Sequence, residues 1–220
     1  MCSLFMLCFE LGAMPAMPVA APPSDVTDDA TQTITHLYAR NAALKAFTFD
    51  AHVAIVMHRF PWFRFHLEGH GSYAADGAYT IQFDHVPSWA RGFDHFDLTA
   101  LDPRTWTKAY SVAGVEHRGE QTVLSLHDRK KSKLAEMSAT LDGDGVRDIT
   151  WAYSYGGHVT LKVTPSPSTF ILPAAEDAEI VMPVMVASAH AEFTNYHIVT
   201  DNAPPAASTP DVAQPVRALR

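Results

Sequence analysis

Between residues 47 and 83 apolar and polar side chains alternate with few interruptions. Phe47, Phe49, Ala51, Val53, Ile55 and Met57 share one parity, and Thr48, Asp50, His52 and His58 the other. After Pro61 the alternation resumes, with Phe63, Phe65 and Leu67 set against Arg64, His66, Glu68 and His70. Asp76-Gly77 then leads into Tyr79, Ile81 and Phe83, interleaved with Thr80, Gln82 and Asp84. A period of two marks strands with one apolar and one wet face, and turns this short make neighbouring strands antiparallel. The pattern predicts a curved sheet around apolar contents. Whether its own side chains or a ligand supply those contents is the functional question.

Upstream, residues 31–45 read as one amphipathic helix: Ile34, Leu37, Tyr38 and Leu44 recur at roughly helical spacing, and Asp28 or Asp29 can cap the first turn. Residues 21–29, rich in Pro, Ser and Asp, are expected to be a flexible lead-in. Residues 87–106 lose the period of two yet carry Trp89, Phe93, Phe96, Leu98, Leu101 and Trp106 around Gly92 and Pro103. That combination predicts short helical turns lying over the sheet as a lid. Strands are expected again at 109–115 and 121–127, followed by a hairpin over 134–141 that turns at Asp142-Gly143-Asp144-Gly145 and returns through Ile149, Trp151 and Tyr153. Gly156-Gly157 reads as a tight turn with both residues at positive φ, leading into Val159, Leu161 and Val163. A linker over 165–173 precedes final strands at 179–186 and 187–199. The expected division is a leader and lead-in over 1–28, one domain over 29–200, and a disordered Ala- and Pro-rich tail over 201–220.

A chain of 220 residues can bury a proper core as a single all-β unit. Its formal net charge of −8 argues against nucleic acid as a partner, because phosphate binding needs clustered Lys and Arg. The one basic run, Arg129-Lys130-Lys131-Ser132-Lys133, falls where two strands must turn and reads as a solvated loop ahead of the alternative, a contact for anionic lipid headgroups. Both cysteines, Cys2 and Cys8, lie at the extreme N-terminus, so the folded part has no disulfide or thiolate chemistry. Residues 4–20 are apolar but too short, and too interrupted by Pro15 and Pro18, to span a bilayer. They look like the core of a secretory signal followed by Val19-Ala20-Ala21, although the positively charged start is missing and Pro22 disfavours cleavage there. Export to the periplasm or cell envelope is the expectation. Cys8 is a poor lipidation site, because bulky Phe5-Met6-Leu7 precede it.

Twelve histidines invite a metal, yet none falls in HExxH or another compact ligand pattern. His66 and His70 share a strand face with Arg64 and Glu68 and read as ordinary exposed residues. Asp142-Gly143-Asp144-Gly145 looks like half a calcium loop, but the later ligands are missing and tight turns commonly use these residues. Neither a G-x-S-x-G elbow nor a Gly-rich phosphate loop occurs. No catalytic residue, metal or cofactor is assigned.

The helix running through Tyr38-Ala39-Arg40-Asn41-Ala42-Ala43-Leu44-Lys45-Ala46-Phe47 into the first long strand, the paired strand over 62–73, the apolar insertion after the third strand and the closing Phe193-Thr194-Asn195-Tyr196-His197-Ile198 together resemble the LolA/LolB-like fold of outer-membrane lipoprotein carriers. The likeness lies in element order over residues 30–200. It implies a mainly β, α+β architecture: an open antiparallel half-barrel with an N-terminal helix and a short helical lid over acyl chains. The functional arginine of the known carriers falls nearest to Arg64, whose parity turns it away from the Phe63/Phe65/Leu67 face.

With that fold, the expected lining is Phe49, Val53, Ile55, Phe63, Phe65, Ile81 and Phe83, joined by Trp89, Phe93 and Trp106 from the lid. The expected function is a monomeric envelope carrier that binds a lipid or the acyl chains of a lipoprotein without a cofactor and works with a membrane-protein partner. The rival reading is an envelope scaffold or sensor whose concave face binds a protein. A lipid-modifying hydrolase is the third.

Overall fold

The computed structural model describes residues 24–59, 62–74, 78–86, 95–97, 101–129 and 133–201. The leader, the turns at Pro61 and Asp76-Gly77, the lid residues Trp89 and Phe93, and the tail beyond Asp201 lie outside the described residues.

Helix α1 spans Ser24–Leu37 and passes through a 3-10 turn, Tyr38–Asn41, into strand β1, Leu44–Met57. Strands β2 (Arg64–Ala74), β3 (Tyr79–Phe83) and β4 (His95–Asp97) follow. Next come the short helix α2 (Pro103–Ala109), β5 (Tyr110–Arg118), β6 (Gln121–Asp128), β7 (Leu134–Asp142), β8 (Gly145–Tyr153), β9 (Gly157–Pro165), β10 (Pro173–Met182) and β11 (Met185–Thr200). Among the described residues these strands form one open sheet in the order β4-β3-β2-β1-β11-β10-β9-β8-β7-β6-β5, with every pairing antiparallel. The last strand thus closes beside the first, so the two ends of the domain are locked into its middle.

The alternation in β1 and β2 has the consequence its period dictates. Phe47, Phe49 and Ala51 are buried, Thr48 and His52 are exposed, and on β2 Phe65, Leu67 and Tyr73 are buried, opposite Ile55, Val53 and Phe47. From Val53 to Met57 both parities are half-buried. A bulge in β11 shifts the register between Thr48 and Asp50, and Asn195 at its centre takes a positive φ of 53°. The extra residue lets Phe193 and Tyr196, three positions apart, both reach the interior, where each packs on Phe49. Outside, the Asn195 side chain donates to Asp50 at 2.7 Å.

Two apolar clusters fill the molecule. One joins β1, β2, β3 and β11 through Phe47, Phe49, Leu67, Ile81 and Phe193, with Leu172 from the β9–β10 linker. The other joins α1, α2 and strands β5 to β9 through Ile34, Trp106, Leu124, Met137 and Ile149. Helix α1 presents Val26, Ala30, Ile34 and Leu37 as one stripe to that second cluster.

Several boundaries differ from the sequence expectation. The α1 helix begins at Ser24, so residues 24–28 are helical and neither Asp28 nor Asp29 is a cap. It ends at Leu37, and Leu44 belongs to β1, paired with Thr200, because strand pairing there outweighs helical spacing. The insertion after β3 contributes an edge strand, β4, as well as a helix. The β8–β9 turn is a three-residue loop, residues 154–156, in which only Gly156 has positive φ; Gly157 is the first residue of β9. The final hairpin turns at Pro183-Val184, with Met182 opposite Met185, and β10 begins at Pro173.

Candidate functional site

A flat sheet would separate β3 from β8 by six strand spacings, roughly 29 Å at about 4.8 Å each. Yet Tyr79 of β3 and Ile149 of β8 line the same cavity, so the sheet curls until its two arms face each other. The cavity holds about 90 Å³. Leu44, Phe47, Tyr73 and Tyr79 bound it on one arm, and Val146, Ile149, Leu161 and Val163 on the other. Leu101 to Arg104, at the start of α2, cover it.

Local sequence explains how the cover is built. Asp102 is the N-cap of α2 and Pro103 fills the first helical position, where a missing N–H costs nothing. The buried Asp102 carboxylate accepts from the Arg104 backbone N–H at 3.0 Å and from Arg104 Nε at 2.9 Å and Nη2 at 2.7 Å. Arg104 also donates to the Tyr73 hydroxyl on β2, and its guanidinium lies 5.3 Å from the Tyr73 ring centroid and 5.7 Å from that of Tyr38. Despite partial burial, the Asp102 partnership raises the Arg104 pKa. Trp106, fully buried, roots the helix in the second core cluster.

A second anchor frames the rim. The Asn41 amide donates to the Ile171 carbonyl at 3.0 Å and accepts from the Ile171 N–H at 2.8 Å, tying the 3-10 turn to the β9–β10 linker. Arg40 donates to the carbonyl of Gly143 at 2.8 Å. The carboxylates of the Asp142-Gly143-Asp144-Gly145 turn are engaged by Arg147 and Arg40, and Asp142 accepts from the Asp144 N–H at 2.8 Å.

Two polar groups on the wall lack such support. Tyr79 is buried, and its hydroxyl has no hydrogen-bond partner among the described residues. Glu176, on β10 opposite Val163, projects into the cavity, ringed by protein yet keeping some accessible surface there. Burial without a compensating cation pushes its carboxyl up to about 7. Burial, reinforced by Glu176, also raises the hydroxyls of Tyr79 and Tyr196.

None of the eight described sequence candidates is among the residues lining this cavity. Phe49, Phe65, Ile81 and Phe83 are buried in the first core cluster, with Val53, Ile55 and Phe63 packed against it, and Trp106 is buried in the second. Arg64 is exposed. Sequence reasoning missed the covering arginine, Arg104, and the half-buried acid, Glu176. Asp102-Pro103 is a readable helix start, and Glu176 shares a strand parity with Ala174, Ala178 and Ile180.

The outer face carries a larger but polar depression bounded by Asp50, His70, Asp84, Asn195 and His197. His70 lies 2.7 Å from Asp50 and 3.5 Å from Asp84. Its neighbours Asn195 and His70 hold the Asp50 carboxyl below its ordinary pKa. Among the described residues no group of three or more His, Cys, Asp or Glu could hold a metal ion.

No family model and no curated protein matches this sequence. Solved structures match it in fold. A LolA superfamily protein from Nitrosomonas europaea superposes with a TM-score of 0.53 at 9% identity, over 77% of this chain and 93% of that one. A DUF1329 family protein from Desulfovibrio piger gives 0.54 at 8%, over 78% and 92%. A domain named for outer membrane lipoprotein sorting, from Vibrio parahaemolyticus, gives 0.56 at 10%, over 80% and 94%. At such identities the likeness is one of fold. The chain has the LolA-like fold.

Proposed function

We propose that this chain is a cell-envelope carrier that shelters the acyl chain of a lipid or lipoprotein in the space beneath α2. One observation carries the reading: apolar side chains from both arms of an open sheet bound a single cavity whose cover is a two-turn helix. That helix is tied to the opposite sheet arm by the Arg104 to Tyr73 hydrogen bond. At about 0.8 kcal/mol per buried methylene, even a partly sheltered chain could reach micromolar affinity after association costs. A cavity of about 150 Å³ takes up benzene, so the space of about 90 Å³ here is smaller than an acyl chain needs. Loading then requires α2 to move outward. The Vibrio parahaemolyticus neighbour, named for lipoprotein sorting, supports the same reading. Export to the periplasm or envelope, a monomeric state and a membrane-protein partner belong to this proposal; it calls on no cofactor or catalytic residue.

A second reading has its own support. Most of the interior is self-packed in two clusters, as a scaffold or sensor that binds a protein would require. Organic extraction of the purified chain followed by mass spectrometry separates the two. Acyl-bearing species at about one per chain are the carrier result; a lipid-free chain that still retains one protein partner is the scaffold result.

A further inference from the structure

Apart from Tyr38, whose ring lies under the Arg104 guanidinium, the polar groups that line the cavity divide into two sets. Asp102, Arg104, Tyr73, Asn41 and Asp144 all have partners within the protein. Glu176 and the Tyr79 hydroxyl have no hydrogen-bond or ion-pair partner among the described residues; both residues line the cavity, from β10 and β3, with the Tyr79 hydroxyl itself buried just behind the wall. Leaving a buried hydroxyl and a carboxyl unmet is costly, and filling the Glu176 position with an apolar residue would remove that cost. The pair therefore has the form of a receptor for polar atoms that arrive with a ligand.

We propose that the cavity takes an amphiphile whose polar end is an uncharged or cationic hydrogen-bond donor, an alcohol, amide or amine, which donates to the Glu176 carboxyl while the Tyr79 hydroxyl meets its remaining polar atom. The assignment rests on the sheltering role proposed above and adds the chemistry of the head group. An anionic head is the disfavoured class. The guanidinium on the cavity wall, Arg104, is already committed to Asp102 and Tyr73, and Asp144, the other acid at the rim, is paired with Arg147 and Arg40. A ligand carboxylate or phosphate would bring a like charge against Glu176 inside a poorly solvated space. Tyr38 and Tyr73, the other titratable groups lining the cavity, supply no positive charge to relieve it.

The test uses the full chain and three probes of equal length, dodecylamine, dodecanol and dodecanoate, below their micellar concentrations at pH 8, with affinities from displacement of a fluorescent acyl reporter. We expect the amine and the alcohol to bind about tenfold or more tighter than dodecanoate. In Glu176→Gln, a near-isosteric change, the amine should weaken about tenfold, dodecanoate should strengthen, and the alcohol should change little. If dodecanoate binds wild type as tightly as the amine, or if Glu176→Gln leaves the ranking untouched, the head-group assignment is wrong while the sheltering role stands. Failure of all three probes to bind wild type overturns both.

Discussion

Arg104 of α2 donates a hydrogen bond to the hydroxyl of Tyr73 on β2, joining the helix that covers the cavity to the opposite arm of the sheet. The same guanidinium neutralises the buried Asp102 carboxylate that caps the helix. One side chain thus serves both the local stability of α2 and its attachment, and two substitutions separate these duties. Tyr73→Phe removes only the attachment and should cost about 1 kcal/mol of stability. In a stopped-flow experiment it should admit an acyl probe several-fold faster. Arg104→Ala also strands the buried carboxylate and should cost about 3 kcal/mol in a urea titration. Equal stability losses in the two variants would show that Asp102 does not depend on Arg104.

The pH dependence of stability follows from Glu176. Its carboxyl moves from an ordinary 4.5 to about 7 on folding, because burial disfavours the charge. Between those two values the folded chain keeps a proton that the unfolded chain has released. Stability therefore falls as pH rises from about 4.5 to about 7 and levels off above, with a penalty on the order of 3 kcal/mol. In Glu176→Gln this contribution vanishes. Exposed His190, whose pKa is raised by Asp177, also loses stabilisation as pH rises past 6.5, so the difference between wild type and variant is the informative quantity. The melting curves should converge near pH 4.5 and diverge by pH 8 with the variant higher. Parallel curves would mean that Glu176 is solvated in the folded chain.

Packing in the first cluster makes a sharp contrast between two strand glycines. A Cβ on Gly71 would sit 1.9 Å from Cζ of Phe49, whereas a Cβ on Gly114 would meet nothing closer than 3.9 Å. The Phe49 ring is hemmed in by Phe193, Tyr79 and Tyr196, so it has no room to retreat. Gly71→Ala should lose about 3 kcal/mol or more, and Gly114→Ala should lie within about 1 kcal/mol of wild type. Chemical denaturation of both variants checks the pair.

The sequence disclosed the sheet more fully than the site, for a physical reason. Alternation in β1, β2 and β3 is a local property, so the burial of Phe47, Phe49, Phe65, Leu67, Ile81 and Phe83 could be read from spacing alone. The same parity left open whether these side chains would meet one another or a ligand, and did not show that the open space forms further along, where Phe47 and Tyr73 face Ile149 and Leu161 across the curl. That juxtaposition depends on sheet curvature and on β11 inserting beside β1, neither of which is encoded in a short window. The start of α1 was hidden by Pro22-Pro23, which reads as a lead-in although Ser24 opens a helix directly after it. Glu176 escaped notice because β10 begins at Pro173, six residues ahead of the strand expected from its Val and Ile content. Once that start is known, an acid on the parity of Ala174, Ala178 and Ile180 stands out.

The sheltering role is tested most directly by titrating the delipidated full-length chain with a fluorescent acyl probe that carries an uncharged amide head. We expect saturable binding of one probe per chain at micromolar affinity, a blue-shifted emission, and loss of that signal in Ile149→Glu while the variant still unfolds cooperatively. Absence of saturable binding to the folded wild-type chain would contradict it and leave the interior as a closed core.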